Sequence, residues 1–353
     1  MLLFFVFASI NDNDWSEYFP HDDNIYRSSC NNINGDNKNC NIDNIEKNQI
    51  YLFQCIFMNI AERAIYIDNK YAILMISECK FENVSIPTDS GGTIHYSNAG
   101  KDYKDSSVVL LKVCALNAQT TKISSNYETG SFGIFYNDAE QGKNIFKECS
   151  IYNYQSNRDN TIDMGTKNTF YISNLNLSYC SANNNAALKT YQKTTLLINY
   201  TTIYSNENNN NQNYGSIFEI NYNTNVTRTN IISNNQNNNA FFIFRFPSQG
   251  YTFTISDSIF CNNSIPSNGW ILHSYDFIVY IIRCYFDSLK MTRFSLYTSE
   301  SSTQSFNNNL VYDTKACLLI PIDENAQREE EMIRRWCTCN FNNGVFPRFI
   351  TRR

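Results

Sequence analysis

Short apolar segments recur along the chain and are separated by runs of Asn, Ser, Gly and Asp. One set of three such segments is Ala64-Ile65-Tyr66-Ile67, Ile73-Leu74-Met75-Ile76 and Cys79-Lys80-Phe81. The segments are rich in β-branched and aromatic residues and lack helical spacing, which is typical of strands. We therefore predict three short strands in each repeat.

The best-marked segment consists of a small residue or Cys, one further residue and then a large apolar residue. Ten copies begin at Cys55, Cys79, Cys114, Cys149, Leu175, Thr201, Thr229, Ser258, Cys284 and Asn309. Their steps of 24 to 35 residues lie in the range of solenoid repeats, in which each unit buries its apolar face by stacking on its neighbours.

The predicted fold is all-β: a right-handed parallel β-helix of about ten coils, with a short C-terminal helix. A left-handed β-helix would need a strict hexapeptide rhythm, which the sequence lacks. Irregular coils suit the right-handed form, which is also the usual hand of parallel crossovers. The predicted domains are a signal peptide at 1–9, an N-terminal cap at 10–50, the β-helix at 51–316, and a cap helix and tail at 317–353.

The first eight residues, MLLFFVFA, form an apolar run with the length of a signal-peptide core. The alternative is an apolar N-terminal strand, because a positively charged start is missing. No later run approaches 18 apolar residues, so we predict no membrane span in this chain. At the other end, residues 324–336 begin with acids, end with bases and predict a helix that covers the last coil.

Asparagine makes up about 15% of the chain, well above ordinary usage. It suits bends because it tolerates the left-handed backbone region. We predict a row of stacked bend residues that hydrogen-bond from coil to coil. Its members are Asn59, Asn83, Asn153 and Asn262, with Ser205, Ser233, Ser288 and Asp313 as substitutes. The Asn-rich tracts 206–213 and 234–239 are predicted to be loops.

Five of the 12 cysteines share the repeat column that begins at Cys55. Vertical disulfides such as Cys55–Cys79 or Cys114–Cys149 are compatible with the expected coil spacing. Free buried thiols are the other interpretation, and the Ser, Thr, Leu and Asn in the same column favour it. A local bridge between Cys30 and Cys40 is also expected.

A family resemblance rests on Cys79-Lys80-Phe81-Glu82-Asn83 with Gly91-Gly92-Thr93-Ile94, and on Ser258-Ile259-Phe260-Cys261-Asn262-Asn263. These phrases resemble the repeats of polymorphic outer membrane proteins and of related protist surface proteins. The likeness covers about residues 50–315. It implies a β-helix of the pectin-lyase-like kind that is displayed outside the cell as an adhesin or surface antigen.

An enzyme is the alternative, because β-helices also host polysaccharide lyases and glycoside hydrolases. Such sites need paired carboxylates, or a calcium site beside a base. In the sequence the carboxylates look scattered over Asp68, Glu78, Glu82, Asp163, Glu219, Asp257 and Asp287. His21, His95 and His273 form no motif. We therefore predict no catalytic, cofactor-binding or metal-binding residue and no cofactor.

The predicted function is that of a noncatalytic, exported or cell-surface protein whose partner is a host or cell-surface protein or a glycan. The net charge of −5 and the lack of a basic patch argue against nucleic acid. Tyrosines in or beside strands are candidates for stacking on a partner: Tyr66, Tyr96, Tyr136, Tyr191 and Tyr222. The long loops near 97–106 and 117–131 form the predicted partner-binding edge.

Overall fold

The structure, a computed structural model, describes residues 18–19, 26–28, 33–34 and 42–43 and most of residues 49–299, with gaps between strands. The predicted signal peptide, the Cys30–Cys40 bridge and the helix at 324–336 lie outside the described residues. The described chain is an all-β parallel β-helix, as predicted, built from four stacked sheets that we name A to D.

Sheets A and B have 11 and 10 strands. Sheet A contains β1 (Tyr26–Ser28), β4 (Gln49–Phe53), β7 (Ile73–Ser77), β11 (Ser107–Leu111), β15 (Asn144–Lys147), β19 (Thr169–Ser173), β23 (Thr195–Asn199), β27 (Thr224–Thr227), β31 (Thr252–Ser256), β34 (Ile278–Ile282) and β37 (Ser295–Ser299). Sheet B contains β2 (Ile33–Asn34), β5 (Ile56–Met58), β8 (Lys80–Glu82), β12 (Cys114–Leu116), β16 (Ser150–Tyr152), β20 (Asn176–Ser178), β24 (Thr202–Tyr204), β28 (Asn230–Ile232), β32 (Ile259–Cys261) and β35 (Tyr285–Phe286).

Sheets C and D have 10 and 6 strands. Sheet C contains β3 (Ile42–Asp43), β6 (Ile65–Asp68), β10 (Ile94–Ser97), β14 (Gly130–Asn137), β18 (Asn160–Thr166), β22 (Asn185–Tyr191), β26 (Ser216–Ile220), β30 (Ala240–Phe244), β33 (Trp270–Ser274) and β36 (Met291–Thr292). Sheet D contains β9 (Ser85–Ile86), β13 (Gln119–Thr120), β17 (Gln155–Ser156), β21 (Ser181–Ala182), β25 (Glu207–Asn208) and β29 (Asn235–Gln236).

Each complete coil passes through sheets A, B, D and C in that order. Six successive coils carry all four strands, because sheet D has 6 strands; toward either end the described coils have three. About ten coils of three strands were expected, so the fourth strand is a correction. Sheet D strands are two residues long, too short to show an apolar period. The hand of the winding stays a prediction.

The pairing register confirms the predicted repeat column except at Cys114, and the predicted copy at Asn309 lies outside the described residues. Phe57 pairs with Phe81, and Phe81 with Ala115, so Val113 occupies the column and Cys114 does not. The expected Cys114-Ala115-Leu116 copy was therefore one residue out of register. In a strand such a slip exchanges inward and outward positions. The inward column is Cys55, Cys79, Val113, Cys149, Leu175, Thr201, Thr229, Ser258 and Cys284, all of them buried.

Two rows of residues with positive φ, between 47° and 57°, bend each coil. The first bend row follows sheet A and comprises Gln54, Glu78, Lys112, Glu148, Asn174, Tyr200, Arg228, Asp257 and Arg283. The second bend row follows sheet B and comprises Asn59, Asn83, Asn117, Asn153, Tyr179, Ser205, Ser233 and Asn262. The predicted bend residues in the described part of the chain are all in this second row. Ser288 and Asp313 lie outside the described residues.

The inward side chains form one continuous apolar core along the rod. A second, smaller cluster lies on the outer face of sheet A, where Tyr51, Met75 and Val109 are fully buried beneath Phe19. Lys143 donates from Nζ to the Tyr18 carbonyl and lies over the rings of both Tyr18 and Phe19. Residues 18–19 of the predicted cap therefore lie against the side of the rod.

Candidate functional site

A polar groove runs along the corner between sheets B and D, parallel to the rod axis. Its volume is about 310 Å³. We call it the amide groove; its lining residues are Asn83, Val84, Ser85, Asn117, Ala118, Gln119, Asn153 and Gln155. The second bend row supplies one wall, and the first residues of β9, β13 and β17 supply the other. One pair of wall residues comes from each coil, so the walls repeat at the coil spacing of about 4.8 Å.

The wall side chains are accessible, since Asn83, Asn117, Gln119 and Gln155 are exposed. On the bend side, Asn153 Nδ2 donates to Asn117 Oδ1 at 2.8 Å, and Asn83 makes the same bond to Asn59 of the preceding coil at 3.1 Å. These are the predicted coil-to-coil bonds. On the sheet D side, the structure assigns Gln119 and Gln155 no side-chain hydrogen bond to another described residue. That wall therefore presents unused donors and acceptors.

An aromatic cluster lies next to the Asn153 end of the groove. Tyr179 follows Asn153 in the second bend row, and its ring lies 5.1 Å from that of Tyr152 and 5.3 Å from that of Tyr204. All three rings are half-buried. Half-buried aromatic rings thus adjoin the amide-lined groove at this end.

Beneath this corner, one inward column changes character along the rod. We call it the inner corner column: Ile60, Val84, Ala118, Tyr154, Cys180, Asn206, Asn234 and Asn263. In its last three positions each Asn Oδ1 accepts the backbone N–H of the preceding coil, at 2.8 to 3.0 Å. Asn206 and Asn234 are fully buried, and each continues into a sheet D strand. The expectation that tracts 206–213 and 234–239 are loops is therefore wrong at β25 (Glu207–Asn208) and β29 (Asn235–Gln236).

A column of charged residues lies on the outer face of sheet C. Asp163 pairs in register with Lys189, and Lys189 pairs with Glu219. Lys189 Nζ lies 4.0 Å from Glu219 Oε1, and Asp163 accepts a bond from Asn160 Nδ2 at 3.2 Å. The carboxylates that looked scattered thus include two in one column, on either side of a lysine. Asp163 is 0% exposed and Glu219 3%, so these groups are closed to solvent.

The same outer column begins with Tyr66 and His95, which stack at 4.8 Å. The Arg63 guanidinium lies 4.7 Å from the centroid of the Tyr66 ring, on the same side of the sheet. Burial, with a further contribution from Arg63, lowers the pKa of His95 to about 4. His95 is therefore neutral near pH 7 and has no acid or base partner of its own for catalysis among the described residues.

Opposite charges also meet along the first bend row, at the corner between sheets A and B. Arg283 makes two bonds to the Asp257 carboxylate, at 2.6 and 2.7 Å, and these bonds lower the pKa of Asp257. Glu78 accepts bonds from Gln54 at 2.9 Å and from Lys112 at 3.3 Å. These pairs are partly or largely exposed, as expected for solvated charges, and they pair one coil with the next.

The column cysteines serve packing and hydrogen bonding. Cys55, Cys79, Cys149 and Cys284 are free, which confirms the thiol interpretation for them. Their thiols donate to the carbonyl two residues earlier at 3.2 to 3.6 Å, as the hydroxyls of Thr201, Thr229 and Ser258 do at 2.7 to 3.1 Å. Cys, Ser and Thr share this column because each is small and offers one donor for the carbonyl at the bend.

Burial raises the pKa of Cys149 to about 12 and that of Cys284 to about 11, so neither is a nucleophile near pH 7. Cys114 differs: it takes an outward position and is disulfide-bonded. The proposed Cys114–Cys149 bridge is wrong, because Cys149 is free.

The predicted stacking tyrosines do not form one surface. Tyr96 is fully buried in the core and donates to the Ala72 carbonyl at 2.6 Å. Tyr66, Tyr136 and Tyr222 are half-buried, and Tyr222 packs on Tyr251. The side chain of Tyr191 and most of the two predicted loops lie outside what the structure describes. Asn117 and Gln119, at the start of the second loop, belong to the amide groove.

Within the described residues, no cluster of three or more His, Cys, Asp and Glu side chains is arranged to hold a metal ion. The same part of the chain contains no helix that is long and apolar enough to cross a membrane. No family model, curated protein or solved structure matches the chain. The functional argument therefore rests on the chain's own side chains.

Proposed function

We propose that the chain is a noncatalytic β-helix protein that acts outside the cell by binding a partner, as an adhesin or surface antigen does. The observation that carries this proposal is the contrast between the two polar regions. The amide groove is open and lined by neutral side chains, whereas the charged column of sheet C is closed to solvent.

Catalysis on a polysaccharide needs acid and base groups that reach the substrate. Asp163, Lys189 and Glu219 have suitable chemistry, but the burial of both carboxylates keeps a polymer away from them. The groove can reach a polymer, but no carboxylate, His, Cys or Lys is among its eight lining residues. The side chains that a polymer can reach are thus not acids or bases, and the acids and bases of the charged column cannot be reached. This favours binding over turnover.

The disulfide at Cys114 supports an extracellular location, because disulfides persist in oxidising compartments. The apolar run at residues 1–8 supports the same location as a signal-peptide core. The resemblance to polymorphic outer membrane proteins and to pectin-lyase-like β-helices, with their right-handed winding, belongs to this proposal as well.

Surface labelling of intact cells, with a membrane-impermeant amine reagent and an antibody to the folded chain, tests the location. We expect the chain to be labelled before lysis. Detection only after lysis would contradict the proposal.

A turnover assay tests the alternative, a carbohydrate-active enzyme. The purified chain is incubated with neutral and acidic polysaccharides, and new reducing ends and unsaturated products are measured. We expect neither product above the background of a heat-denatured sample. Turnover that disappears in Asp163→Asn and Glu219→Gln variants, but persists in Asp257→Asn, would establish the enzyme in place of the binding protein.

A further inference from the structure

We propose that the amide groove binds an extended, neutral glycan chain along the rod axis, with Tyr179 as the stacking platform at one end. This inference rests on the proposed binding function and names the ligand class of its site.

The donors and acceptors of the groove suit sugar hydroxyls. A carboxamide both donates and accepts hydrogen bonds, and so does a hydroxyl. Gln119 and Gln155 have no side-chain hydrogen bond to another described residue, and both are exposed. Asn117 is exposed and uses its oxygen to accept from Asn153, and its Nδ2 group makes no hydrogen bond to another described residue. Sugar hydroxyls would pair with these groups in place of water.

The spacing at which the groove walls repeat fits a glycan and not a peptide. The walls repeat once per coil, at about 4.8 Å, whereas an extended peptide advances about 3.3 Å per residue. A pyranose unit of an extended chain advances by about one coil spacing, so successive sugars meet equivalent pairs of side chains. Strands β13 and β17 pair with the coils above and below, and at β9, the end strand of sheet D, the Ser85 backbone N–H already donates to the Ile60 carbonyl of the preceding coil at 2.8 Å. The groove therefore offers little free sheet edge to a peptide.

The lining also selects for a neutral chain. None of the eight lining residues is charged, and the protein as a whole carries a net charge of −5. An acidic polysaccharide would find no cation in the groove and would be repelled at long range. At the Tyr179 end, an aromatic face can pack against the apolar C–H face of a sugar ring.

Binding of defined oligosaccharides to the full chain tests the inference. The chain is secreted to a bacterial periplasm, which allows disulfides and leaves the Asn83-Val84-Ser85 sequon unmodified. Isothermal titration with neutral cello-, manno- and chito-oligosaccharides is compared with oligogalacturonate and with an extended peptide. We expect affinity for at least one neutral series that increases with chain length, and none for the acidic series.

Matched variants locate the binding. Gln119→Ala combined with Gln155→Ala removes two exposed amides that make no internal bonds, so the fold is kept, and the affinity is expected to fall about tenfold. Tyr179→Asn keeps a residue suited to the positive φ of 57° and should also weaken binding. Asn225→Ala removes an exposed amide on sheet A and should leave the affinity unchanged.

Absence of binding to every neutral series, preference for the peptide or the acidic chain, or full affinity in the double Gln variant would overturn the inference. If the chain still binds intact cells in those cases, the assignment of a neutral glycan to the amide groove is wrong and the proposed function stands. If the chain binds neither cells nor glycans and lies inside the cell, both the glycan assignment and the proposed function are wrong.

Discussion

Two buried polar columns lie in the same rod and are built on different principles. The ladder Asn206–Asn234–Asn263 in the inner corner column is neutral, and its amides bond to the backbone and to each other. The outer column of sheet C contains the ionisable side chains of His95, Asp163, Lys189 and Glu219.

The difference shows which buried polar groups can repeat from coil to coil. An amide supplies both a donor and an acceptor, so one residue type can repeat from coil to coil with every bond satisfied. A carboxylate cannot stack on its own kind, because like charges repel, and the outer column therefore alternates Asp, Lys and Glu. The neutral ladder should be indifferent to pH, and the charged column should depend on it.

The largest effect is expected from breaking the ladder. In Asn234→Leu the Asn206 backbone N–H and side-chain amide lose their shared acceptor, and the Ile203 carbonyl loses its donor. We expect a loss of about 4 kcal/mol of unfolding free energy, since several buried groups are left unpaired. Urea denaturation should give the same loss at pH 5 and pH 8. A loss below about 1 kcal/mol would mean that the ladder is not a structural element.

Breaking the charged column ranks second. Lys189→Met leaves the buried Asp163 and Glu219 carboxylates without the cation between them, which we expect to cost about 3 kcal/mol at pH 7. The matched control is Arg283→Met, which breaks an exposed pair with Asp257 and should cost at most about 1 kcal/mol. Equal losses in the two variants, measured by urea denaturation, would contradict a role for burial.

The third test compares how folding stability depends on pH in the two columns. The pKa of His95 is lowered to about 4 from 6.5, so the unfolded chain binds a proton in this window that the folded chain does not. His95 therefore makes the fold less stable as pH falls from about 6.5 to 4, by up to about 3 kcal/mol, with no effect above that window. His95→Phe keeps a ring against Tyr66 and should flatten this part of the stability profile. An unchanged profile would show that His95 titrates normally.

The smallest effect is expected from lengthening the ladder. In Cys180→Asn the new Oδ1 would replace the Cys180 sulfur as the acceptor of the Tyr154 backbone N–H, and Nδ2 would donate to Asn206 Oδ1, as Asn206 does toward Asn234. We expect a change of less than about 1 kcal/mol, in either direction, because one new bond offsets the lost thiol packing. Leu177→Asn, in the same coil but without amide neighbours, should cost several times more in the same thermal melt.

The sequence predicted the stacked strands because the apolar segments recur in every coil. It placed Cys114 wrongly because Cys114-Ala115-Leu116 fits the repeat, whereas Val113-Cys114-Ala115, which occupies these positions in the structure, ends in Ala instead of a large apolar residue. Only the pairing of Ala115 with Phe81 resolves this. The sequence did not predict the charged column, because its members lie in separate coils and are far apart along the chain. The amide groove had a signal: Gln119 and Gln155 each follow a bend residue by two positions.

The ladder also bears on how the length of such a rod can change. Each rung accepts a backbone N–H and donates to a backbone carbonyl of the coil before it. Asn206 and Asn234 also donate to the Oδ1 atom of the next rung. A coil duplicated or deleted within this stretch would leave every remaining rung with a correct neighbour. Copying the coil that carries Asn234, whose outer position in sheet C is Ile243, would thus extend the ladder without stacking like charges. Copying the coil that carries Asn206 would place a second Glu219 beside the first.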